Sequence, residues 1–499
     1  MKSFLTYQIL KNLKRKKDKK AIIFFNAYEE SFKELTYQEL YYTLSNFIDY
    51  LLKQGIKRDD HLIVLSNNSL ELALIFLAAL FLNLTIIPLP PNTPLNFLEN
   101  VKRITKAKNI LTAKDLKLLS NYIFLWKKNI NNYFHNFLLQ SEKELEKLYL
   151  RKPYIISFSS GSTGNPKPVV FSKMTKYKRI LLSVKKFFGL TKDDNIIFIT
   201  PLYHSLAQRF LLTPLFLGST CIFTDKYNLD IFLQLSVKFN ISFAPLVSTQ
   251  VEDILSLEKK LLYSLPFKYI LSSSNTLKDR PREIYLNIKN KVKFELFETY
   301  GTSELGFVSI LSLKKEYKKY KSVGKPLPYV KVKIDGEKVG EILCKSETLF
   351  EGYYGRKDLY KKYFDKEGYF KTGDLGYLDE DGYLYFKGRK KDLIISGGIN
   401  IYPEDIEKII KEHPKVKEVV VFGYPHERLG EIVCSVIKAE ENLTKMELYK
   451  YLRNKLLPYQ IPQIILFKNE IPKTALGKYS RTKLKKIYAK EIEKWKALM

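Results

Sequence analysis

One stretch decides the fold of this chain: Ser159-Ser160-Gly161-Ser162-Thr163-Gly164-Asn165-Pro166-Lys167. It follows the apolar run 154–158, which predicts a strand. Gly161 and Gly164 allow a tight turn, and the small hydroxyl side chains around them can donate hydrogen bonds to phosphate oxygens. Lys167 adds a positive charge. The pattern predicts a phosphate-binding loop, although it differs from the P-loop pattern and, taken alone, also fits a flexible linker.

Four further motifs follow this loop in a fixed order. They are Tyr300-Gly301-Thr302-Ser303-Glu304, Tyr369-Phe370-Lys371-Thr372-Gly373-Asp374, Gly388-Arg389-Lys390-Lys391-Asp392 and Pro472-Lys473-Thr474-Ala475-Leu476-Gly477-Lys478. The five motifs together resemble the ANL adenylate-forming superfamily, which contains acyl-CoA synthetases, amino-acid adenylation domains and luciferases. The resemblance runs from Leu35 to Arg481, nearly the whole chain, and its specificity comes from the ordered series rather than from any single motif.

Length and composition predict a soluble protein of two or three domains. The chain has 499 residues, of which 45% are hydrophobic and 27% are charged. Its three cysteines are far apart and lack metal-ligand spacing, which favours a reducing, cytoplasmic location over a disulfide framework. Residues 1–20 are lysine-rich and show no signal peptide. The apolar stretch 70–88 has the length of a membrane span, but its polar residues and its proline-rich end predict a buried helix followed by a core strand.

The formal net charge of +31 leaves three interpretations open. Solvated surface lysines, from a coding bias or a warm habitat, are favoured. Attraction to anionic ligands, to a membrane surface or to an acidic acyl carrier protein is the second interpretation. Binding of nucleic acid is the third and is not expected, because no recognised binding motif accompanies the charge.

Alternating helix and strand patterns predict an α/β fold. The resemblance implies a large N-terminal AMP-binding domain, residues 1–390, built of α/β subdomains and a small β-barrel. It also implies a small mobile α+β lid domain, residues 391–499, with a hinge at Lys391. The sequence agrees with this division, because a turn-rich region gives way to a regular helix and strand pattern after Gly388-Arg389-Lys390-Lys391-Asp392.

The resemblance also implies the reaction. Superfamily members join a carboxylate to the α-phosphate of ATP, release pyrophosphate, and then pass the acyl group to a thiol. The residues that match the pyrophosphate cradle are Ser159, Ser160, Gly161, Ser162, Thr163, Gly164 and Lys167. The family usually has glycine after this lysine, whereas this chain has Pro168, which removes an amide donor and stiffens the loop.

Further positions match the nucleotide and metal contacts of the family. Glu304 matches the residue that holds Mg²⁺, a cation that prefers oxygen ligands, and Tyr300 matches the aromatic ring that stacks on adenine. Asp374 matches the carboxylate that accepts the ribose hydroxyls, and Arg389 matches a second ribose and phosphate contact. Lys478 matches the lysine that bridges the α-phosphate and the attacking carboxylate. The remaining expected nucleotide contacts are Ser274, Asn275, Thr276, Gly301 and Ser303.

The substrate expectation depends on Pro201-Leu202-Tyr203-His204-Ser205. It resembles the segment in which acyl- and aryl-CoA ligases carry a histidine, although an ordinary core histidine is an open alternative for His204. Amino-acid adenylation domains usually have an aspartate nearby, and the range 203–210 contains none. Relatives that activate aryl acids often have asparagine after the histidine, whereas this chain has Ser205. Both absences favour a plain carboxylic acid, and a fatty acid is expected. The expected acid pocket consists of His204, Ser273, Gly301, Thr302, Phe307 and Val308.

The second reaction needs a thiol on a pantetheine arm. Ser396, Gly397 and Gly398 match the position where relatives guide that arm, and small residues leave space beside the backbone. We therefore expect an ATP- and Mg²⁺-dependent acyl-CoA synthetase. The alternatives are a ligase that loads an acidic acyl carrier protein and, in another class, a non-catalytic basic protein that binds RNA or membranes with the same fold.

Overall fold

The structure is a computed structural model. It describes residues 5–118, 152–159, 167–273, 277, 279–473 and 479–496. The fold is mixed α/β, with a large N-terminal and a small C-terminal domain, as predicted. The described residues form two compact units, the first containing 5–331 and 344–368 and the second containing 332–343 and 369–496, apart from the gaps given above. The predicted domain boundary at Lys391 stays a prediction.

Strands make up the framework of both units. In chain order they are β1 (Lys20–Asn26), β2 (Ser31–Thr36), β3 (His61–Leu65), β4 (Thr85–Leu89), β5 (Asn109–Thr112), β6 (Pro153–Ser159), β7 (Lys167–Ser172), β8 (Asn195–Phe198), β9 (Cys221–Thr224), β10 (Ile241–Val247), β11 (Tyr269–Ser273), β12 (Glu295–Thr302), β13 (Gly306–Ser312), β14 (Lys325–Pro326), β15 (Val330–Asp335), β16 (Gly340–Ser346), β17 (Gly352–Tyr353), β18 (Phe370–Leu378), β19 (Leu384–Arg389), β20 (Ile394–Ser396), β21 (Ile399–Ile401), β22 (Val416–His426), β23 (Gly430–Ala439) and β24 (Ile464–Phe467).

The helices flank these strands. In chain order they are α1 (Leu5–Arg15), α2 (Tyr37–Lys53), α3 (Leu70–Leu82), α4 (Leu95–Thr105), α5 (Lys173–Ile180), α6 (Ser205–Leu217), α7 (Leu229–Lys238), α8 (Ser248–Leu255), α9 (Lys259–Ser264), α10 (Asp279–Ile288), α11 (Asp358–Tyr363), α12 (Pro403–Lys411), α13 (Lys445–Arg453), α14 (Arg481–Ile487) and α15 (Ala489–Lys496). A π-helical turn, Leu181–Lys186, continues α5, and 3₁₀ turns lie at Tyr317–Lys319, Lys390–Asp392 and Pro458–Gln460.

Two sheets organise the first unit. A nine-stranded sheet has the order β14-β13-β12-β11-β10-β8-β9-β1-β2, and its centre, from β12 to β1, is parallel. A six-stranded sheet has the order β17-β7-β6-β4-β3-β5. Parallel strands need crossover connections, which the helices between them supply. The predicted phosphate loop connects β6 to β7, which pair antiparallel.

Local sequence explains why individual helices begin where they do. At the start of α2, the Thr36 hydroxyl accepts a hydrogen bond from the Glu39 amide, and the Glu39 carboxylate accepts one from the Thr36 amide. This capping box satisfies two amides that the helix itself leaves without acceptors. Helix α3 is apolar on every side, and each of its residues is buried. The prediction of a buried helix followed by a core strand in this stretch is therefore confirmed by α3 and β4.

The strands of the second unit belong to two smaller sheets. One has the order β15-β16-β18-β19, and the other has the order β21-β20-β23-β22 with β24 paired to β23. Aliphatic side chains from α12, α13 and the second sheet form its core, among them Ile406, Ile410 and Val421. All three cysteines of the chain are buried. Within the part of the chain that the structure describes, every helix falls short of the length and hydrophobicity that a bilayer crossing needs.

Candidate active site

The ends of the predicted phosphate loop are held together in the first unit. Ser159 is the last residue of β6, and it pairs with Lys167, the first residue of β7. Lys167 Nζ lies 4.1 Å from the ring centroid of Tyr363 and 5.8 Å from that of Tyr353. The two rings hold the ammonium group by cation–π attraction. The loop residues Ser160, Gly161, Ser162, Thr163 and Gly164 lie outside the described residues.

Glu304, the predicted magnesium ligand, is fixed through its backbone and its side chain. Its carbonyl oxygen accepts hydrogen bonds from Arg179 Nη2 at 2.7 Å and from the Phe350 amide at 2.8 Å. Its Oε1 accepts a hydrogen bond of 3.0 Å from the Tyr353 hydroxyl. Burial, together with this carboxylate, raises the pKa of Tyr353, so the phenol stays protonated and remains a donor. Tyr353 was not predicted from sequence, although two consecutive tyrosines after a glycine in a turn-rich region could have indicated a functional position.

The single carboxylate of Glu304 suits a Mg²⁺ ion that binds together with a nucleotide. Among the residues that the structure describes, no cluster of three or more histidine, cysteine, aspartate or glutamate side chains could hold a metal on its own. Mg²⁺ is usually bound through one or two carboxylates together with substrate phosphates and water. A single oriented carboxylate at Glu304, near Tyr353 and Lys167, is consistent with that arrangement.

The hairpin of β12 and β13 brings several predicted residues together. Gly301 pairs with Phe307, and Thr302 pairs with Gly306. A Cβ atom on Gly301 would lie only 1.9 Å from the Gly306 carbonyl oxygen, so this position needs glycine. Tyr300, on the same strand, exposes 9% of its surface. The predicted pocket residue Val308 follows on β13 and is buried.

His204 is the N-cap residue of α6 and is partly exposed. The side-chain amides of Asn68 and Gln208 hold the segment before it in place. Asn68 Oδ1 accepts a hydrogen bond of 2.8 Å from the Leu202 amide, and Gln208 Nε2 donates one of 3.1 Å to the Leu202 carbonyl oxygen. Gln208 Nε2 also lies 3.3 Å from the hydroxyl of Ser157 on β6. The histidine segment is therefore coupled to the strand that leads into the phosphate loop.

Arg179 joins the histidine segment to the magnesium segment. It is 1% exposed, and its Nη1 donates to the Ser205 hydroxyl at 3.3 Å, while its Nη2 also donates to the Ser303 carbonyl oxygen at 3.0 Å. Its Nε donates to the Thr348 carbonyl oxygen at 3.0 Å. Burial lowers the pKa of Arg179. The sequence analysis missed this residue, which connects Ser205, the neighbour of His204, to the backbone of Glu304.

Ser273 ends β11 and is 5% exposed. The neighbouring predicted residues Ser274, Asn275 and Thr276 lie outside the described residues. The segment continues at Leu277, whose amide lies 3.4 Å from Glu298 Oε2. Arg282 binds both carboxylate oxygens of Glu298, at 2.5 and 2.7 Å, and therefore fixes this side chain two residues before Tyr300.

In the second unit, Asp374 and Arg389 are cross-strand partners on β18 and β19. Arg389 Nη1 lies 2.8 Å from Asp374 Oδ1, and the aspartate side chain is 1% exposed whereas the arginine side chain is 48% exposed. Glu341 supports this pair from the neighbouring strand. Its Oε1 accepts a hydrogen bond of 3.0 Å from the Gly373 amide, and its Oε2 accepts one of 2.7 Å from Lys390 Nζ. The predicted ribose-binding pair is thus placed together and supported on both sides.

The predicted hinge residue Lys391 lies in the 3₁₀ turn Lys390–Asp392. Next to it, Asp392 Oδ2 lies 3.1 Å from Arg481 Nη1. Arg481 Nη2 also contacts Glu404 at 3.1 Å and Glu407 at 2.7 Å. Burial raises the pKa of Glu404 to about 7, although Arg481 opposes the rise. The predicted catalytic lysine, Lys478, lies outside the described residues.

Ser396, Gly397 and Gly398 form the turn between β20 and β21. Ser396 pairs with Ile399, and the φ angles of Gly397 and Gly398 are +56° and +80°. Two consecutive residues with positive φ favour glycine in a tight hairpin. A Cβ atom on Gly398 would meet nothing within 4 Å among the described residues, so the turn leaves open space beside its backbone.

Comparison with known proteins gives matches over almost the whole chain. The family model for AMP-binding enzymes matches residues 9–354, and the model for the AMP-binding enzyme C-terminal domain matches residues 405–478. A 2-succinylbenzoate–CoA ligase from Listeria monocytogenes serotype 4b is 30% identical, over 91% of this chain and 94% of the relative. The corresponding ligase from Oceanobacillus iheyensis is 28% identical, over 94% and 96%.

The fold also matches solved structures. The o-succinylbenzoate coenzyme A synthetase from Bacillus subtilis, in complex with ATP and a magnesium ion, superimposes with a TM-score of 0.82 and 24% identity. The match covers 96% of this chain and 99% of that structure. At this identity the superposition supports the shared fold, and the chemistry of the site must be argued from its own residues.

Proposed function

This chain belongs to the AMP-binding enzyme family, and from that premise we propose that it joins an aromatic carboxylic acid to the thiol of CoA, with conversion of ATP to AMP and pyrophosphate. The observation that carries the proposal is the set of curated relatives, which are 2-succinylbenzoate–CoA ligases matched over more than nine-tenths of both chains. The alignment with these relatives therefore extends over nearly the full length of both chains.

The family match confirms the resemblance to the ANL superfamily, and the relatives confirm the predicted class of enzyme, an AMP-forming acid–thiol ligase. The narrower expectation of a fatty acid finds no support in the names of these relatives, which favour an aromatic acid instead. The alternatives of an acyl carrier protein as acceptor and of a membrane contact likewise find no support there. The roles given to individual site residues remain predictions.

The arrangement of Asp374 and Arg389 supports a nucleotide site in the second unit. A buried carboxylate can accept hydrogen bonds from two vicinal ribose hydroxyls, and the contact with Arg389 orients it. The half-exposed guanidinium is also available to a phosphate oxygen. Glu341 fixes the Gly373 amide, so the carboxylate of the next residue keeps its position.

Glu304 and Lys167 support binding of the triphosphate in the first unit. Mg²⁺, when bound, neutralises phosphate charge. Glu304 is oriented to contact this ion by the Tyr353 hydroxyl, and Lys167 supplies a positive charge at the end of the phosphate loop. An oxygen of the substrate carboxylate then attacks the α-phosphorus, and the bond from that phosphorus to pyrophosphate breaks. Preorganised positive charge stabilises this step.

His204 supports a site for the reacting carboxylate. It lies at the start of α6, and Arg179 connects the next residue, Ser205, to the segment of Glu304. The carboxyl group of the acid would thus bind between the histidine and the magnesium ligand. In the second step the CoA sulfur attacks the acyl carbon, the bond to AMP breaks, and the turn at Ser396-Gly397-Gly398 guides the pantetheine arm.

The test is carboxylate-dependent exchange between ATP and pyrophosphate, with a panel of aromatic and fatty acids, followed by measurement of thioester formed with CoA or with a holo acyl carrier protein. We expect exchange with aromatic acids and thioester formation with CoA. Asp374→Asn, the matched loss of one charge, should reduce both. Exchange with fatty acids alone would reject the aromatic substrate, and absence of exchange with every acid would reject the function.

A further inference from the structure

Tyr363 is the last residue of α11 and was not predicted from sequence. Its ring centroid lies 4.1 Å from Lys167 Nζ, whereas the ring centroid of Tyr353 lies 5.8 Å away. The centroids of the two tyrosine rings are 5.5 Å apart, at an interplanar angle of 57°. Tyr353 donates its hydroxyl hydrogen to Glu304. Of the two rings, Tyr363 therefore makes the closer contact with the cation at the end of the phosphate loop.

The environment of Lys167 leaves its positive charge intact. Lys167 is partly exposed, and no carboxylate among the described residues lies within ion-pair distance of its ammonium group. An aromatic ring attracts a cation through its quadrupole but carries no net charge. A carboxylate in the same place would neutralise the ammonium group and would compete with a phosphate for it. The ring therefore holds the side chain and leaves its charge and its N–H donors to an anionic ligand.

Backbone contacts connect α11 to the strand of this lysine. Strand β17 pairs with β7, and the Tyr354 amide donates a hydrogen bond of 2.9 Å to the Pro168 carbonyl oxygen. Only the segment 354–357 separates β17 from α11. The helix is thus held near the start of β7, where Lys167 lies.

Building on the proposed function, we propose that Tyr363 is a positioning residue of the triphosphate site, which holds Lys167 ready for the phosphates that leave as pyrophosphate. A lysine side chain is flexible and loses rotational freedom when it binds a phosphate. Contact with the ring removes part of this freedom before the nucleotide binds, so less binding free energy is lost in ordering the side chain. Tyr363 therefore increases the affinity for the triphosphate of ATP and for pyrophosphate, and it has no part in recognition of the acid or of CoA.

Two substitutions separate the aromatic ring from the hydroxyl group. Tyr363→Leu removes the ring and keeps an apolar side chain, whereas Tyr363→Phe keeps the ring and loses only the hydroxyl. Titration calorimetry measures Kd for magnesium ATP and for pyrophosphate, and exchange kinetics measure KM for pyrophosphate and for the acid. In Tyr363→Leu we expect both Kd values and KM for pyrophosphate to rise by about 3- to 30-fold, the effect of one cation–π contact. Tyr363→Phe should stay within about twofold of wild type, and KM for the acid should be unchanged in both variants.

Tyr360→Leu is the matched control. Tyr360 lies on the same helix, is 60% exposed, and stacks on Phe364 with ring centroids 4.2 Å apart rather than on Lys167. Its substitution also replaces a tyrosine of α11 with leucine, and it should leave every Kd and KM at the wild-type value.

A double-mutant cycle with Lys167→Met tests whether the ring acts through the lysine. Lys167→Met should weaken binding of pyrophosphate, and Tyr363→Leu should then add less than about twofold. Additive losses in the cycle would overturn the proposal, as would equal losses in Tyr363→Phe and Tyr363→Leu, or a rise in KM for the acid as large as the rise for pyrophosphate. If no acid supports exchange, the proposed function fails, and calorimetry still decides the role of Tyr363, because equal Kd values in wild type and Tyr363→Leu overturn it.

Discussion

The hydroxyl of Tyr353 donates a hydrogen bond of 3.0 Å to Oε1 of Glu304, and the same tyrosine ring lies 5.8 Å from Lys167 Nζ. One side chain therefore connects the predicted magnesium ligand to the end of the phosphate loop. Tyr353 is held by β17, a two-residue strand that pairs with β7, which begins at Lys167. The orientation of Glu304 thus depends on the strand that carries the lysine.

Tyr353→Phe tests this connection. The change removes the hydroxyl and keeps the ring, so Glu304 loses a hydrogen bond to a charged group, and kcat/KM for ATP–pyrophosphate exchange should fall by about 10- to 100-fold. We also expect a higher Mg²⁺ concentration for half-maximal exchange, because a freely rotating carboxylate binds the ion less well. Tyr354→Phe, at the neighbouring position, is the control and should retain the wild-type Mg²⁺ dependence. The same Mg²⁺ dependence in Tyr353→Phe would contradict the role.

Glu341→Ala tests the support of the ribose site. The substitution removes the acceptor of the Gly373 amide and the partner of Lys390, two contacts of about 1 kcal/mol each. We expect KM for ATP to rise by about 10-fold or more, with a smaller change in kcat. Glu337→Ala, in the exposed turn between β15 and β16, is the control. A lower kcat with an unchanged KM would place Glu341 outside nucleotide binding.

The sequence predicts the parts of this fold that have local causes. The apolar run before Ser159 forms β6, and the run beginning at Leu70 forms a buried helix because it is apolar on all sides. Gly301 is required because the hairpin backbone approaches it within the space of a Cβ atom. In each case the residues that determine the structure are neighbours in the chain or on adjacent paired strands.

Residues that act across the fold were not predicted. Arg179 contacts backbone near residue 303 and residue 348, and no periodicity in its own helix indicates those partners. The substrate expectation rested on two absences, of an aspartate in 203–210 and of an asparagine after His204. The first argues against an amino acid, but Ser205 in place of asparagine does not separate a fatty acid from an aromatic acid.

Glu404 should make the stability of the second unit depend on pH. Its folded pKa, about 7, is above the ordinary value of 4.5 because the carboxyl group is buried. The folded state therefore binds the proton more tightly than the unfolded state. The contribution of Glu404 to the free energy of unfolding is fully present below pH 4.5 and is lost as the pH rises to about 7. Glu404→Gln should remove this loss and raise the free energy of unfolding at pH 8 by about 1–3 kcal/mol relative to wild type.

Denaturant unfolding of wild type and Glu404→Gln between pH 5 and 8 measures this effect. The difference between the two proteins should be larger at pH 8 than at pH 5. Asp405→Asn is the control, because Asp405 lies on the same helix but pairs with Lys387 at the surface. A difference that is constant with pH would show that Glu404 is ionised with an ordinary pKa in the folded state.

Lys478→Ala should separate the two half-reactions. The lysine matches the residue that bridges the α-phosphate and the carboxylate, so its loss should slow adenylation by about two to three orders of magnitude. Thioester formation from supplied acyl-AMP should persist, because the transfer step no longer needs that charge. Lys473→Ala, in the same segment, is the control, since Lys473 pairs with Glu418. Equal losses in both half-reactions of folded Lys478→Ala would contradict the assignment.

Lys391→Pro tests whether the segment Lys390–Asp392 is the hinge of the lid. Lys478 and Ser396-Gly397-Gly398 both follow this segment, and each is expected to face the same reacting group at a different step. One fixed lid position could not present both, so backbone torsions near Lys391 must change between the steps. Lys391 is the second residue of a 3₁₀ turn, and proline is tolerated in the first turn of a helix. Proline would keep φ near −65° and restrict Lys390 as well, so the present turn would be retained and its rearrangement hindered.

We expect Lys391→Pro to keep acyl-AMP formation and to lose most thioester formation, whereas Lys391→Ala, which removes the same side chain without fixing φ, should keep both. Pyrophosphate exchange and acyl-CoA production are measured on the same folded preparation, and normal thioester turnover in Lys391→Pro would exclude Lys391 as the hinge.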